Sequence, residues 1–412
     1  MRIEKVETPE RFAQIETDWD EVYKKDPHAN FYLSSRFVGT IVRHAARRFR
    51  IYVAWAADGA CAGVFPVYVR TKWSNARRRL VNEIDMLGHL FDADYTGLLC
   101  DPRHEAVVCE AFAREASCAP VRRLVLSYFA TGAERLEAFV AGFDTAVFET
   151  TAVQRRINSG ETDNLICPYI DLPGDFSDYL AGLGANARQK LRRLLRRLDD
   201  DPDLSVAHAR PETFKRDAAA LSDLWRRQYT EKKGAKRAGE LARQLEKVAL
   251  VGLAHGHLRL AVLRRAGRPI AAHALYLDPV KRAALFHVGG RDESVRDLAA
   301  GLLLHAHEIR WSIANGLERY DFTLGDEAYK YALGAKDRAI ACVEIATRSG
   351  VNAAGGLDEG CADYVAELIR LYAARGRHDD ARAAARQALE TWPDMASASD
   401  VEALIAEAAR RG

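Results

Sequence analysis

From residue 50 the chain turns β-rich: "RIYVAWAA" (50–57) and "CAGVFPVYV" (61–69) flank Asp58-Gly59, a turn dipeptide that predicts a hairpin. A second set lies downstream, where "HLRLAVLRRAG" (257–267), "PIAAHALYL" (269–277) and "AALFHVGG" (283–290) predict three consecutive strands. A helix over Leu298–Asn315 follows, closed by Asn315-Gly316, and then the strand "RYDFTL" (319–324). Alternation there puts Tyr320, Phe322 and Leu324 on one face and Arg319, Asp321 and Thr323 on the other. Upstream, Leu191, Leu194, Leu195 and Leu198 form the buried stripe of a helix in "NARQKLRRLLRRL". The two halves share a layout of hairpin then helices, with "NLICPYIDL" (164–172) as the seam, so the pattern predicts a duplicated mixed α/β fold.

Expected boundaries are 1–163 and 164–348 for the two domains, 349–360 for a Gly-rich linker and 361–412 for an α-helical tail. In the tail, Tyr372, Gly376, Ala381, Ala388 and Pro393 fall at the spacing of one tetratricopeptide repeat, with Ile369 where that repeat has Gly. A lone repeat has no neighbour to stack on, so the expectation is packing on its own protein; docking a protein partner is the alternative.

A chain of 412 residues exceeds one core and implies two or three units. Its 48% hydrophobic and 29% charged residues exclude a disordered chain, and a net charge of +2 points to no polyanion. No uncharged run approaches the ~18 residues of a membrane span and the start is no signal peptide, so a cytoplasmic protein is expected. Seven cysteines without a C-x-x-C spacing read as reduced thiols.

Four stretches carry chemistry. At the strand-to-helix junction "HVGGRDESVRDLAAG", Arg296, Ala299, Ala300 and Gly301 fit a loop whose backbone N–H groups and helix N-terminus approach a pyrophosphate; tight packing of small residues on a sheet is the alternative. In "RYDFTLGDEAYK", Asp321, Asp326, Tyr329 and Lys330 stand at a strand's end, where α/β sheets bind ligands. Lys330 is the candidate donor to a tetrahedral oxyanion, against the simpler reading of a pair with Asp326 four residues away. A five-residue turn "DPVKR" would set His273 opposite His287, a pair that stays neutral near pH 7 and serves as general base. Finally, Arg188, Arg192 and Arg196 lie on the basic side of the leucine-striped helix, facing either an anionic substrate or the acids of "DDDPD" (199–203). His305 and His307 are two apart on a helix and "HGH" (255–257) lacks further ligands, so no metal is expected.

On the junction loop and the "D-F-x-x-G-D-x-x-Y-K" run, the chain resembles the GCN5-related N-acetyltransferase (GNAT) superfamily. With "GANARQKLRRLLRRL", and more weakly "ANFYLSSRF" and "MLGHLFDADYTGLL", it looks like the CelD/BcsL branch associated with cellulose and other exopolysaccharide operons, which is related to the Fem aminoacyltransferases. The likeness covers about residues 1–348 and implies tandem GNAT-like mixed-sheet domains, the second holding acyl-CoA, with Tyr329 and Lys330 matching an aromatic-Lys pair that serves the oxyanion. It implies an N-acyltransferase acting on a primary amine, such as an amino sugar of an exopolysaccharide or cell-envelope precursor. An aminoacyl-tRNA-dependent transferase and a non-catalytic scaffold of a polysaccharide-synthesis complex are the rival readings.

Overall fold

The computed structural model describes residues 1–44, 49–234 and 256–393, and singly 236, 239, 252, 403 and 406. Two compact units emerge, one of Met1–His28, Ile41–Gln154 and Ala341–Gly412, the other of Ala29–Thr40 and Arg155–Ile340. His255, named in the sequence reading, lies outside the described residues.

The first unit is built on a sheet in the order β1 (Arg2–Val6), β2 (Phe49–Trp55), β3 (Cys61–Ser74), β4 (Arg79–Met86), β6 (Arg123–Phe129), β16 (Ala341–Thr347) and β7 (Phe148–Ala152), with β5 (Leu99–Cys100) on β3. The hairpin turns at Gly59, whose φ of +85° suits a residue without Cβ. Helix α1 (Pro9–Lys25) buries Phe12, Ile15, Trp19 and Val22, while α2 (Ser35–His44) begins in the second unit. Helices α3 (Glu105–Ser117) and α4 (Ala133–Ala141) supply Val108, Phe112, Leu136 and Phe139 to the core. β16 follows the whole second sheet in the chain yet pairs between β6 and β7.

The tail belongs to this core as well. The last two helices of the chain, α10 (Ala362–Ala374) and α11 (His378–Thr391), contribute Val365, Ile369, Tyr372, Ala381 and Ala388 to it. Gln387 completes the β4 ladder, its Nε2 donating to Leu80 O (2.9 Å) and its Oε1 accepting from Leu80 N (2.8 Å). Apolar residues at Ile369 and Ala388 are thereby covered by the chain's own sheet.

In the second unit the order is β10 (Tyr169–Asp171), β15 (Arg319–Asp321), β14 (Ala283–Arg291), β13 (Arg268–Asp278), β12 (Leu258–Arg265) and β11 (Leu204–His208), with a ribbon of β8 (Arg156–Ile157) and β9 (Thr162–Asp163) apart. One face packs on α5 (Phe176–Gly182), α6 (Ala185–Asp200) and α8 (Ala300–Ala314) through Tyr179, Leu191, Leu194, Leu303 and Ile309. The opposite face packs on α7 (Phe214–Lys233) through Phe214, Leu221 and Leu224. β12 therefore reads as a continuous apolar run, with Ala261 and Leu263 facing one layer and Leu260 and Val262 the other. Gly290 permits the close approach of α7, since a Cβ there would stand 2.6 Å from Trp225 N. A short α9 (Ala328–Tyr331) follows β15. The fold is thus two mixed sheets with a helical tail, and no helix among the described residues is long and apolar enough to cross a membrane.

Candidate active site

β14 and β15 run parallel for only three residue pairs, Ala283↔Arg319 to Leu285↔Asp321. Beyond them β14 continues to Arg291 on β13 alone, while the chain leaving β15 turns away. An opening between the two strands results, and its β14 edge is half-exposed from Phe286 to Gly289.

The register along that edge differs from the sequence expectation. Asp278 pairs with Ala283, so the turn has four residues, and between Ala274↔Val288 and Leu275↔Phe286 the ladder skips His287. The shorter turn and that β-bulge together set Gly289, not His287, opposite His273. His287 instead points its Nδ1 to the Tyr32 hydroxyl at 3.1 Å, with the Tyr276 ring 5.2 Å away. Tyr32 comes from "ANFYLSSRF", and its role beside a residue 255 positions later carries no local sequence signal.

His273 finds a different imidazole. Its ring lies 4.1 Å from that of His305 on α8, whose Nδ1 is 2.9 Å from the Tyr320 hydroxyl and whose ring stacks with Tyr329 at 5.4 Å. Burial pushes His273 down to about 4, and burial with the neighbouring His273 and Lys330 holds His305 well below the usual range, so both are neutral at pH 7.

The structure gives Lys330 a task other than the one the sequence suggests. Its ammonium is buried and donates to the carbonyls of Phe322 (3.2 Å), Leu324 (2.6 Å) and Gly325 (2.8 Å), with Glu327 Oε2 at 3.0 Å. Three N–H groups and four acceptors leave no donor for an oxyanion. The salt-bridge partner is Glu327 and not Asp326, because Asp326 Oδ1 accepts from Asp163 N at 2.7 Å. Asp321 is equally engaged: Oδ1 accepts from Thr323 N (2.8 Å) and Oδ2 from Arg338 Nη2 (2.8 Å). These bonds hold Thr323 at φ +55°, a strained value for a β-branched residue, and Gly325 at φ +94°. The "DFTLGDEAYK" run therefore ends β15 after Asp321, three residues before the expected strand end, and clamps the diverging loop.

At the other side of the opening, Ala299 precedes α8 without capping it, and Ala300 is buried against the sheet. Gly301 does not pack: a Cβ there would meet only Arg291 Cδ, at 3.8 Å. Arg296 is exposed, and among the described residues no acid is in ion-pair range of it. Its neighbour Asp297 is held by Arg197 (2.9 Å) and Arg265 (3.0 Å). The α8 N-terminus thus presents open space with backbone N–H groups, as an anion site does.

On α6 the leucine stripe is buried as the periodicity predicts. Of the acids of "DDDPD", Asp201 reaches Arg197 in the last turn of the basic side at 3.9 Å, whereas Asp199 pairs with Arg310 on α8. Arg188 donates to Ala181 O at 3.3 Å, and the exposed Arg192 and Arg196 have no ion pair among the described residues.

Comparison with known proteins fits this geometry. Residues 185–331 match the profile of the acetyltransferase (GNAT) domain, a stretch that spans the β14–β15 opening, the α8 N-terminus and the Lys330 clamp. The match lies within the second unit, and by it the chain is an acyltransferase. FemX shares the fold over 83% of this chain and 96% of its own, at 11% identity and a TM-score of 0.50. Also similar are the C-terminal domain of a protein designated a putative lysylphosphatidylglycerol synthetase from Agrobacterium fabrum (12% identity, 81% and 92% covered, TM-score 0.47) and a tandem GNAT protein from the clavulanic acid pathway (13%, 84% and 98%, 0.45). No curated protein sequence matches the chain.

Proposed function

We propose that the chain transfers an acyl group from acyl-CoA to a primary amine, with the donor lying in the β14–β15 opening. The observation that carries this reading is the parting of the two strands beside an uncapped helix N-terminus. Backbone N–H groups at Gly301 and Leu302, with Arg296, would hold the pyrophosphate, and the free edge of β14 would hydrogen-bond the extended amide arm of the cofactor as an added strand does. The amine nitrogen attacks the thioester carbonyl, its proton passes to His287, and as the carbon–sulfur bond breaks the leaving sulfur takes that proton from His287 and departs as the thiol. His287 suits this role because it stands at the bulge in contact with Tyr32. A backbone N–H freed by the bulge is the proposed oxyanion donor in place of Lys330. Tyr329, stacked on the neutral His305, is the proposed wall of the acyl pocket.

An amino sugar of an exopolysaccharide or cell-envelope precursor is the proposed acceptor, on the resemblance to the CelD/BcsL branch. Calorimetry with acetyl-CoA and longer acyl-CoAs tests the donor: binding should appear, and Arg296→Ala should weaken it about tenfold, the worth of one charge-assisted contact. No heat with any acyl-CoA would refute it. The second reading, an aminoacyl-tRNA donor, is favoured by the unneutralised arginines of α6. Binding of tRNA that falls steeply with salt, and loses slope in Arg192→Ala/Arg196→Ala, would establish it instead.

A further inference from the structure

Away from the opening, three side chains that the acyl-transfer reading does not use converge on one point. His208 ends the edge strand β11, and His307 and Glu308 sit about 10–12 Å along α8 from its first residue at 1.5 Å per residue. His208 Nε2 and His307 Nδ1 each lie 3.0 Å from the same carboxylate oxygen, Glu308 Oε1, and all three donor atoms fall within 4.8 Å of one another. Glu308 is fully buried, its Oε2 accepts from Arg259 Nε, and the Arg259 guanidinium stacks 3.4 Å from the Trp311 ring centroid.

Arg259 Nη2 also contacts His208 Nε2, which sets up a conflict. If Nε2 carries the proton, it donates to Glu308 but opposes an Arg259 N–H group. If it does not, it accepts from Arg259 but sets a lone pair against Oε1. Either tautomer leaves one mismatched contact.

We propose that His208, His307 and Glu308 form a binding site for a divalent transition metal of the zinc class. A cation among the three atoms takes both imidazole lone pairs and the Oε1 lone pair, which removes the clash between them. The 3.0 Å separations are close to the ~3.3 Å edge of a tetrahedron with ~2.0 Å bonds to nitrogen and oxygen. Arg259 would yield its contact with His208 and keep Oε2, orienting the ligand carboxylate from behind. Three protein donors leave a fourth position for water. Such a site ties the sheet's edge strand to α8. The sequence pattern hides it, because His208 and Glu308 are a hundred positions apart.

The test uses the full chain without a histidine tag, stripped by chelator and titrated with Co2+. One ion per chain with the visible bands of four-coordinate cobalt is expected, displaced by Zn2+. His208→Ala and His307→Ala, both at half-buried positions, should each weaken binding at least tenfold. In the unmutated chain, Zn2+ should protect His208 and His307 from diethyl pyrocarbonate, read by mass spectrometry, which needs no variant to fold. No cobalt bands, bands that persist in the double variant, or unprotected histidines would overturn the proposal.

Discussion

Lys330→Met tests the clamp directly. The methionine keeps the length of the side chain but deletes an ammonium that serves the carbonyls of Phe322, Leu324 and Gly325 and the Glu327 carboxylate. Glu327 has a third of its side chain exposed, so its charge regains water and its share of the loss is small. The carbonyls of Phe322 and Gly325 belong to buried residues, and a buried acceptor left without a donor costs about 1–3 kcal/mol. Two of them give an expected loss of about 2–6 kcal/mol, which brackets the roughly 3–5 kcal/mol lost when one partner of a buried pair is removed. For a unit of this size each kcal/mol moves Tm by roughly 2–4 °C, so a fall on the order of 4–24 °C is expected.

Scanning calorimetry of Lys330→Met beside Glu327→Gln separates the contributions. Glu327→Gln removes only the ion pair and should cost less than about 1 kcal/mol. A direct oxyanion role would instead show as a kcat about 10²- to 10³-fold lower at unchanged Tm. A Tm within ~2 °C of the parent, or equal losses in the two variants, would refute the clamp.

Two further outcomes follow from buried groups. Gly290→Ala should destabilise the second unit by about 1–3 kcal/mol in urea unfolding, since its Cβ would press on Trp225 N at 2.6 Å and α7 must shift. His273 is neutral in the fold because burial holds it at about 4, whereas the unfolded chain binds its proton below about 6.5; stability should therefore fall by roughly 1.4 kcal/mol per pH unit from about 6.5 to 4, and His273→Leu should flatten that part of a urea-midpoint profile against pH.

What the sequence made legible was local. The hairpin at Gly59, the three strands of the second sheet, the leucine stripe of α6 and the end of α8 at Asn315-Gly316 all stand within a residue or two of where periodicity and turn chemistry put them. Pairings that depend on distant partners were not legible. β16 carries an ordinary strand pattern with nothing to say that it returns to the first sheet. The four-residue turn and the bulge at His287 each move the register by one residue, which together set Gly289 opposite His273 and leave His305 as its imidazole neighbour. Lys330 has a carboxylate within a turn whichever way it points, so sequence could not show that backbone carbonyls would claim it.

The clamp and the opening are one construction. Left to itself, a strand that ends beside a longer parallel neighbour gains hydrogen bonds by continuing, and β15 continued past Asp321 would pair with Phe286–Gly289 and shut the gap. Thr323 prevents this: at φ +55° it leaves the strand path, while its hydroxyl donates to Phe286 O at 2.8 Å and takes the first acceptor such pairing would use. That conformation costs about 1–2 kcal/mol for an L-residue, and the carbonyls it turns away from the sheet need donors. Asp321 supplies the acceptor for Thr323 N, and Lys330 supplies the donors for Phe322, Leu324 and Gly325. Lys330 and the Asp321 carboxylate at the lip of the strand thus act before any chemistry takes place, by holding the chain away from the edge of β14 beyond Leu285.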